Sequence, residues 1–370
     1  MLLGDLGRIE QAFADAAIDP ALWGRALDVA TRETRSFGAT LLPITSSAIP
    51  NAPVTQSIGE VSEHYFRDGW HLRDQRMAGT SVFMKTGVID DSDCTNLESI
   101  GKHPYYQEFL APHGLRWFAG VKVACGKEIW CLSIQRKIEQ GPFSQSEKVR
   151  LAALSRSLST SAALAKALAA RTVDGALNAF EMSNTAIALI NRDGDVYRLN
   201  QAAEALLKGD VRIINRRIAS PDREASLALS RAIHQMMWRT IGTRLWPPIL
   251  LPRPTKAPLV AYPAKLSATS ANALADCQAI VILVDLEERR HAPESLLQFG
   301  FYLTPTEAKL AARLATGASL DDVSNELKIT KQTSRTHLKH IFAKLGISRQ
   351  SELVALLGAL GRYQSNQSSS

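Results

Sequence analysis

The sequence predicts an α+β chain in which two front modules of helices and antiparallel strands are joined by a long helix and followed by an all-α domain of four short helices. Three observations carry this. Trp117 to Cys125 and Glu128 to Gln135 read as strands, and the intervening Gly126-Lys127 is the right length for a hairpin turn. Leu151, Leu154, Leu158, Ala162, Ala165 and Leu168 or Ala169 recur at helical spacing behind a Ser144/Glu147 capping pattern. Near the carboxyl end, Leu338, Ile341, Phe342 and Leu345 line one helix stripe, while no Asp or Glu occurs from Lys328 through Arg349.

Taken in order, Leu6 to Ala16 and Ala21 to Glu33 have helical periodicity, with Asp19-Pro20 as stop and start signal. Gly38 to Ile44 reads as a strand and Ser46 to Ser57 as a polar loop. Val61 to Met77 reads as one helix rich in large side chains, Ser81 to Phe83 as a strand, and Pro104 to Leu110 as a short helix carrying Tyr105, Tyr106 and Phe109. Helices around an antiparallel sheet, with aromatic residues on several elements, resemble a GAF-like or PAS-like sensory module over residues 1–143. The long helix is expected over 144–172. Its apolar seam is expected to be covered by a second copy in a symmetric dimer, the alternative being packing on the chain's own module.

Ala176 to Ser183 then reads as a helix, Ala186 to Asn191 and Val196 to Leu199 as strands around the Arg192-Asp193-Gly194-Asp195 turn, and Asn200 to Leu207 as an Asn-capped helix. This order is similar to the opening of a PAS domain, expected over 173–286. Ser220 to Thr240 supplies a further helix, and Leu245 to Leu251, Leu259 to Leu266 and Ala279 to Val284 the later strands. Pro247, Pro248, Pro252, Pro254 and Pro258 place part of that sheet at an edge. Residues 287–298 read as a charged linker and 364–370 as a disordered tail.

Within 299–363, Thr304-Pro305-Thr306-Glu307 announces a helix ended by Gly317, and Leu320 to Leu327 is a short amphipathic helix. Lys328-Ile329-Thr330 forms a tight link to the acid-free helix, and a fourth helix runs from Ser348 or Arg349 to Leu357. Two short helices so joined form a helix-turn-helix, whose second member fits the DNA major groove. Leu303-Thr304, Glu307, Leu314, Gly317, Leu320, Leu327, Ile329, Thr330, Thr333, His337, Leu338, Ile341, Lys344-Leu345-Gly346 and Arg349 make this stretch resemble the LuxR-type (GerE-like) DNA-binding domain. Two departures stand out: Ser334 replaces the family's usual valine, and Val323-Ser324 its common Ile-Ala pair. The resemblance implies base contacts by Arg335, Thr336 and Lys339, and phosphate contacts by Thr330, Lys331, Thr333, His337 and Lys344.

A formal charge of +7 over 370 residues favours an anionic partner such as double-stranded DNA, while being weak evidence alone. Cys94, Cys125, Cys131 and Cys277 stand far apart, without a C-x-x-C pair, and read as free thiols of a reducing cytoplasm. No apolar run approaches membrane-spanning length, so a soluble, cytoplasmic protein is expected. Nucleophile-elbow, phosphate-loop, dinucleotide and zinc-helix motifs are absent, and His64 and His71 lack neighbouring ligands; no enzyme, metal or cofactor is expected.

Tyr65, Trp70, His71, Asp74, Tyr105, Trp117 and Trp130 are candidates for lining a small-molecule pocket in the first module. Tyr65 and Asp74 reproduce the nine-residue interval found in acyl-homoserine-lactone receptors of the LuxR family, but Gln75, Val61 and Ile89 replace a proline and two tryptophans of that pattern. The expectation is a dimeric transcription regulator modulated by a small molecule. The alternative is a constitutive regulator whose front modules only dimerise or recruit partners.

Overall fold

The computed structural model describes residues 3–44, 52–238, 246–266, 272–287 and 294–360. The first module opens with α1 (Leu6–Ile18), capped by Asp5, and α2 (Trp23–Glu33), which bury Ile9, Phe13, Trp23 and Leu27. Strands β1 (Gly38–Pro43), β2 (Val88–Asp90), β3 (Leu115–Cys125) and β4 (Glu128–Lys137) form one antiparallel sheet in the order β1-β4-β3-β2. The β3–β4 hairpin turns at Gly126, whose φ of +64° suits a residue without Cβ.

Between β1 and β3 the sequence expectations need two corrections. Val61 to Met77 is not one helix: α3 (Gly59–Arg67) stops before Gly69, which sits at φ +72°, and two 3-10 turns, Trp70–Leu72 and Gln75–Gly79, follow. Asp74 caps the second turn by accepting from the Arg76 N–H, so a capping carboxylate divides what reads as one apolar period. Ser81 to Phe83 is not a strand but lies in α4 (Thr80–Thr86); three residues carry no period that separates the two states. Short helices α5 (Asp91–Cys94) and α6 (Leu97–Ile100) precede a π-helical turn over Tyr105–Leu110, where a short helix is predicted.

The long helix, α7 (Gln145–Met182), has 38 residues and begins with the predicted Ser144/Glu147 capping box. It absorbs the separate helix expected at 176–183, because Gly175 is carried through as helix. The seam reading also changes. Leu151, Leu154, Leu158, Ala162 and Ala165 are buried in the core shared with α1, α2 and the first sheet. Intramolecular packing therefore covers the seam, and a second copy is not needed to do so.

The second module is an antiparallel sheet of β5 (Ala186–Asn191), β6 (Val196–Leu199), β9 (Ile249–Leu251), β10 (Leu259–Lys265) and β11 (Cys277–Asp285), ordered β6-β5-β11-β10-β9. Asn200 caps α8 (Gln201–Leu206) as expected, and α9 (Arg223–Trp238) packs Leu229, Ile233, Met236 and Met237 on one sheet face. Val173 and Leu177 of α7 cover part of the other. The proline-bracketed β9 is an edge strand, shorter than read, and Leu245 lies outside the described residues, as do Arg239 and Thr240. A small hairpin, β7 (Arg212–Ile214) with β8 (Arg217–Ala219), has no counterpart in the sequence reading. Polar contacts tie the modules: Arg192 Nη2 to Glu128 Oε2 at 3.1 Å and Lys166 Nζ to Asp276 Oδ1 at 2.6 Å.

The carboxyl-terminal domain comprises α10 (Glu294–Phe301), α11 (Pro305–Ala315), α12 (Leu320–Glu326), α13 (Lys331–Leu345) and α14 (Gln350–Leu360) around Leu297, Leu310, Leu314, Val323, Ile341, Leu353 and Leu357. Helix α10 replaces the carboxyl half of the expected 287–298 linker: Leu297 is buried against α11 rather than solvated. Residues 288–293, 361–363 and the predicted tail lie outside the described residues, as do residues 46–51 of the 46–57 loop.

Candidate nucleic-acid surface and apolar cavity

In the carboxyl-terminal domain, Thr330 caps α13 by accepting from the Thr333 N–H at 3.1 Å, and Lys328 takes the turn at φ +54°. With its apolar stripe on the core, α13 turns Lys331, Gln332, Thr333, Arg335, Thr336 and Lys339 to solvent. Arg335 and Lys339, one turn apart, form no ion pair among the described residues; Lys331 bonds Asp321 at 2.6 Å in an exposed pair. Such exposed pairs are weak and exchange readily for another anion.

Two predicted phosphate contacts, Lys344 and His337, also have surroundings inside the domain. Lys344 Nζ donates to the buried carboxylate of Glu307 at 2.7 Å and to the Tyr302 carbonyl at 3.0 Å, so it fastens α13 to α11 while its side chain stays 36% exposed. Burial would raise the Glu307 carboxyl, but bonds from Lys344 and Thr304 outweigh it and hold it below its usual range. His337 is half-buried, its Nδ1 without a hydrogen-bond partner among the described residues.

The two departures from the family pattern meet in space. Ser324 Oγ and Ser334 Oγ lie 2.7 Å apart in the core between α12 and α13, with the Leu320 and Thr330 carbonyls accepting further bonds. Each hydroxyl compensates the other's burial. Ser334→Ala is expected to cost about 1 kcal/mol. The double change Ser324→Ala with Ser334→Val is expected to lie closer to the parent than the sum of its single changes. Chemical unfolding of the four proteins measures this; strict additivity would show that the pair is uncoupled.

The first module holds a cavity of ≈ 450 Å³ on the sheet face opposite α1, α2 and α7, within the size range of small-molecule sites. Apolar groups including Leu42, Val61, Phe66, Met77, Phe83, Ile89 and Phe118 line most of it. Its polar end gathers Thr40, Tyr65, Asp74, Arg76, Tyr105, Ser133 and Gln135. Of the predicted lining, Tyr65, His71, Asp74 and Tyr105 are there. Tyr65 donates to Asp74 Oδ2 at 2.8 Å; burial first, then Asp74, hold its hydroxyl well above the usual tyrosine range, so it remains a donor.

Three predicted lining residues are not there. Trp130 faces the opposite side of β4 into the α-helical core, Trp70 stacks behind Phe109 at 5.5 Å, and Trp117 donates to the Ile138 carbonyl at the sheet's edge. The period of two explains the miss at β4: with Trp130, Leu132 and Ile134 on one face, Cys131, Ser133 and Gln135 must take the other. Cys131 is pushed up to about 12 by burial, and lines the wall as an apolar thiol.

Arg76 is the residue sequence reasoning missed. Buried in the cavity wall, it donates through Nε to Asp91 Oδ1 at 3.1 Å, through Nη1 to Gln135 at 3.1 Å and through Nη2 to the Arg116 carbonyl at 3.0 Å. Its guanidinium lies 4.1 Å from the Phe118 ring centroid. Burial would lower its pKa, but Asp91 and the surrounding oxygens raise it well above normal, keeping the cation. Asp91 also accepts from the Tyr106 hydroxyl at 2.8 Å and the Phe118 N–H at 2.6 Å.

Residues 302–357 match the family model described as bacterial regulatory proteins, luxR family, so the carboxyl-terminal domain is a LuxR-type helix-turn-helix domain. Among curated proteins, the chain is 39% identical over 59 residues to a probable HTH-type transcriptional regulator GfsR of Streptomyces halstedii. That match covers 16% of this chain and 24% of the relative. It is 38% identical over 52 residues to a putative HTH-type transcriptional regulator of Mycobacterium bovis, covering 14% of this chain and 6% of that protein. The chain thus spans a quarter or less of these relatives' lengths. Among solved structures, the VqsR LBD domain from Pseudomonas aeruginosa aligns at 15% identity over 40% of this chain and 90% of that one, with a TM-score of 0.32. A Vibrio cholerae VqmA dimer structure aligns at 16% identity over 51% and 88%, with a TM-score of 0.20.

Proposed function

We propose that this protein is a dimeric, sequence-specific regulator of transcription that binds double-stranded DNA through α13 and is modulated by a small molecule held in the first module. The observation that carries the DNA reading is the solvent-facing row of Arg335, Thr336 and Lys339 on the second helix of the helix-turn-helix. Arginine's planar fork meets guanine O6 and N7 together, lysine adds a second cationic donor, and threonine pairs a hydroxyl with a methyl. Thr330, Lys331 and Thr333, at the start of the same helix, are placed to hold phosphate where free backbone N–H groups gather.

The sensing reading rests on the cavity. A sheet face bearing Thr40, Ser133 and Gln135, where a closed core would carry only hydrocarbon, is the kind of wall that orients a polar ligand group. The front modules are read as GAF-like and PAS-like sensors, supported by antiparallel sheets packed against helices and by the strand, turn, strand, Asn-capped helix order from Ala186 to Leu206.

Selection of duplexes from a random pool by the purified full chain tests the DNA reading. The expected winners contain two half-sites about one helical turn apart, and affinity falls steeply as salt rises from about 50 to about 200 mM. A pool that emerges unenriched would overturn sequence-specific binding.

A further inference from the structure

The wall of the cavity leads into the second module. Phe66 and His71 line the cavity beside Leu72 and Met77, which are 78% and 49% exposed and mark its solvent side. The Phe66 ring meets the Trp238 ring at 6.5 Å in an edge-on arrangement, and Trp238 is the last residue of α9. One turn earlier, His234 lies 5.6 Å from the same indole. Trp238 does not belong to its own module's core. It is 40% exposed, whereas its neighbours Met236 and Met237 are buried there. A large apolar side chain set outside its own core and against the wall of another module's cavity costs solvation without stabilising the module that carries it.

We propose that Phe66 and Trp238 form a relay by which an occupant of the cavity acts on α9. The inference rests on the ligand reading given above. An occupant that fills the outer end of the cavity fixes the Phe66 ring, and a fixed Phe66 restricts Trp238 and the last turns of α9 through ring contact. The occupant that suits this is an uncharged amphiphile. Its polar group would meet Tyr65, Asp74 and Gln135, where the buried guanidinium of the cavity lining, Arg76, is already paired with Asp91. Its apolar end would reach Phe66. Trp238 is on this reading a positioning residue, not a ligand contact.

The test uses the full chain and the uncharged fluorophore N-phenyl-1-naphthylamine as probe, with hydrogen exchange over residues 223–238 as readout. Saturating probe is expected to slow exchange there about fivefold or more in the parent protein. Trp238→Ala is expected to bind the probe within about threefold of the parent, the loss of one ring contact behind the wall, yet to show no slowing. Trp238→Phe, which keeps a ring, is expected to restore it. Probe binding by the parent with unchanged exchange in α9, or slowing that persists in Trp238→Ala, would overturn the relay and leave the cavity reading standing. Failure of the parent to bind the probe would overturn the cavity reading and the relay with it.

Discussion

Asp91→Ala is expected to destabilise the first module by about 3–5 kcal/mol, the range found when one member of an enclosed ion pair is removed. The change strands the Arg76 guanidinium with only neutral partners, and it deprives the Tyr106 hydroxyl and the Phe118 N–H of their acceptor. Whole domains are stable by only about 5–15 kcal/mol, so the loss should be visible as a lowered unfolding midpoint and as loss of probe binding in the adjoining cavity. Paired replacement of Arg76 and Asp91 by apolar residues should recover part of the stability without the binding. A midpoint within error of the parent for Asp91→Ala would mean that the guanidinium finds water, and that the cavity floor is looser than these contacts indicate.

Arg335→Ala is expected to lose about 1–3 kcal/mol of discrimination at one position of each half-site, while Lys331→Ala lowers affinity for all duplexes alike and reduces the salt slope by about one counterion. The contrast follows from position: Arg335 lies mid-helix on the exposed face, and Lys331 at its first turn beside the cap. Competition binding on the selected duplex and its point variants separates the two effects. Identical behaviour of both variants would dismiss the assignment of base and phosphate roles. Lys344 is a poor choice for that comparison, because its ammonium holds Glu307.

The carboxyl-terminal domain was the most legible part of the chain, since its caps, its turn and its apolar spacing all point to one arrangement. Thr304 and Thr330 cap the helices that follow them, and Ser319, which carries no expectation of its own, caps α12. The β3–β4 hairpin and the start of α7 were legible for the same reason: a turn or cap residue agrees with the period that follows it. The cavity was only half legible. Aromatic side chains announce burial without saying on which face, and Trp130 therefore looked like lining although it packs under the sheet. Arg76 gave no local signal, because its partners Asp91, Gln135 and the Arg116 carbonyl are distant in sequence and come together only through the fold. The seam of α7 misled for a related reason: periodicity reports an apolar face, and the identity of the surface covering it is a tertiary fact.

The unbroken course of α7 has a mechanical consequence. Its 38 residues make a rod about 57 Å long that belongs to both front modules, and bending it sharply would mean rupturing main-chain bonds in mid-span. Swivelling of one front module about the other is thereby denied. Any message between them must travel as a small shift in packing where their side chains touch, with the rod acting as a stator.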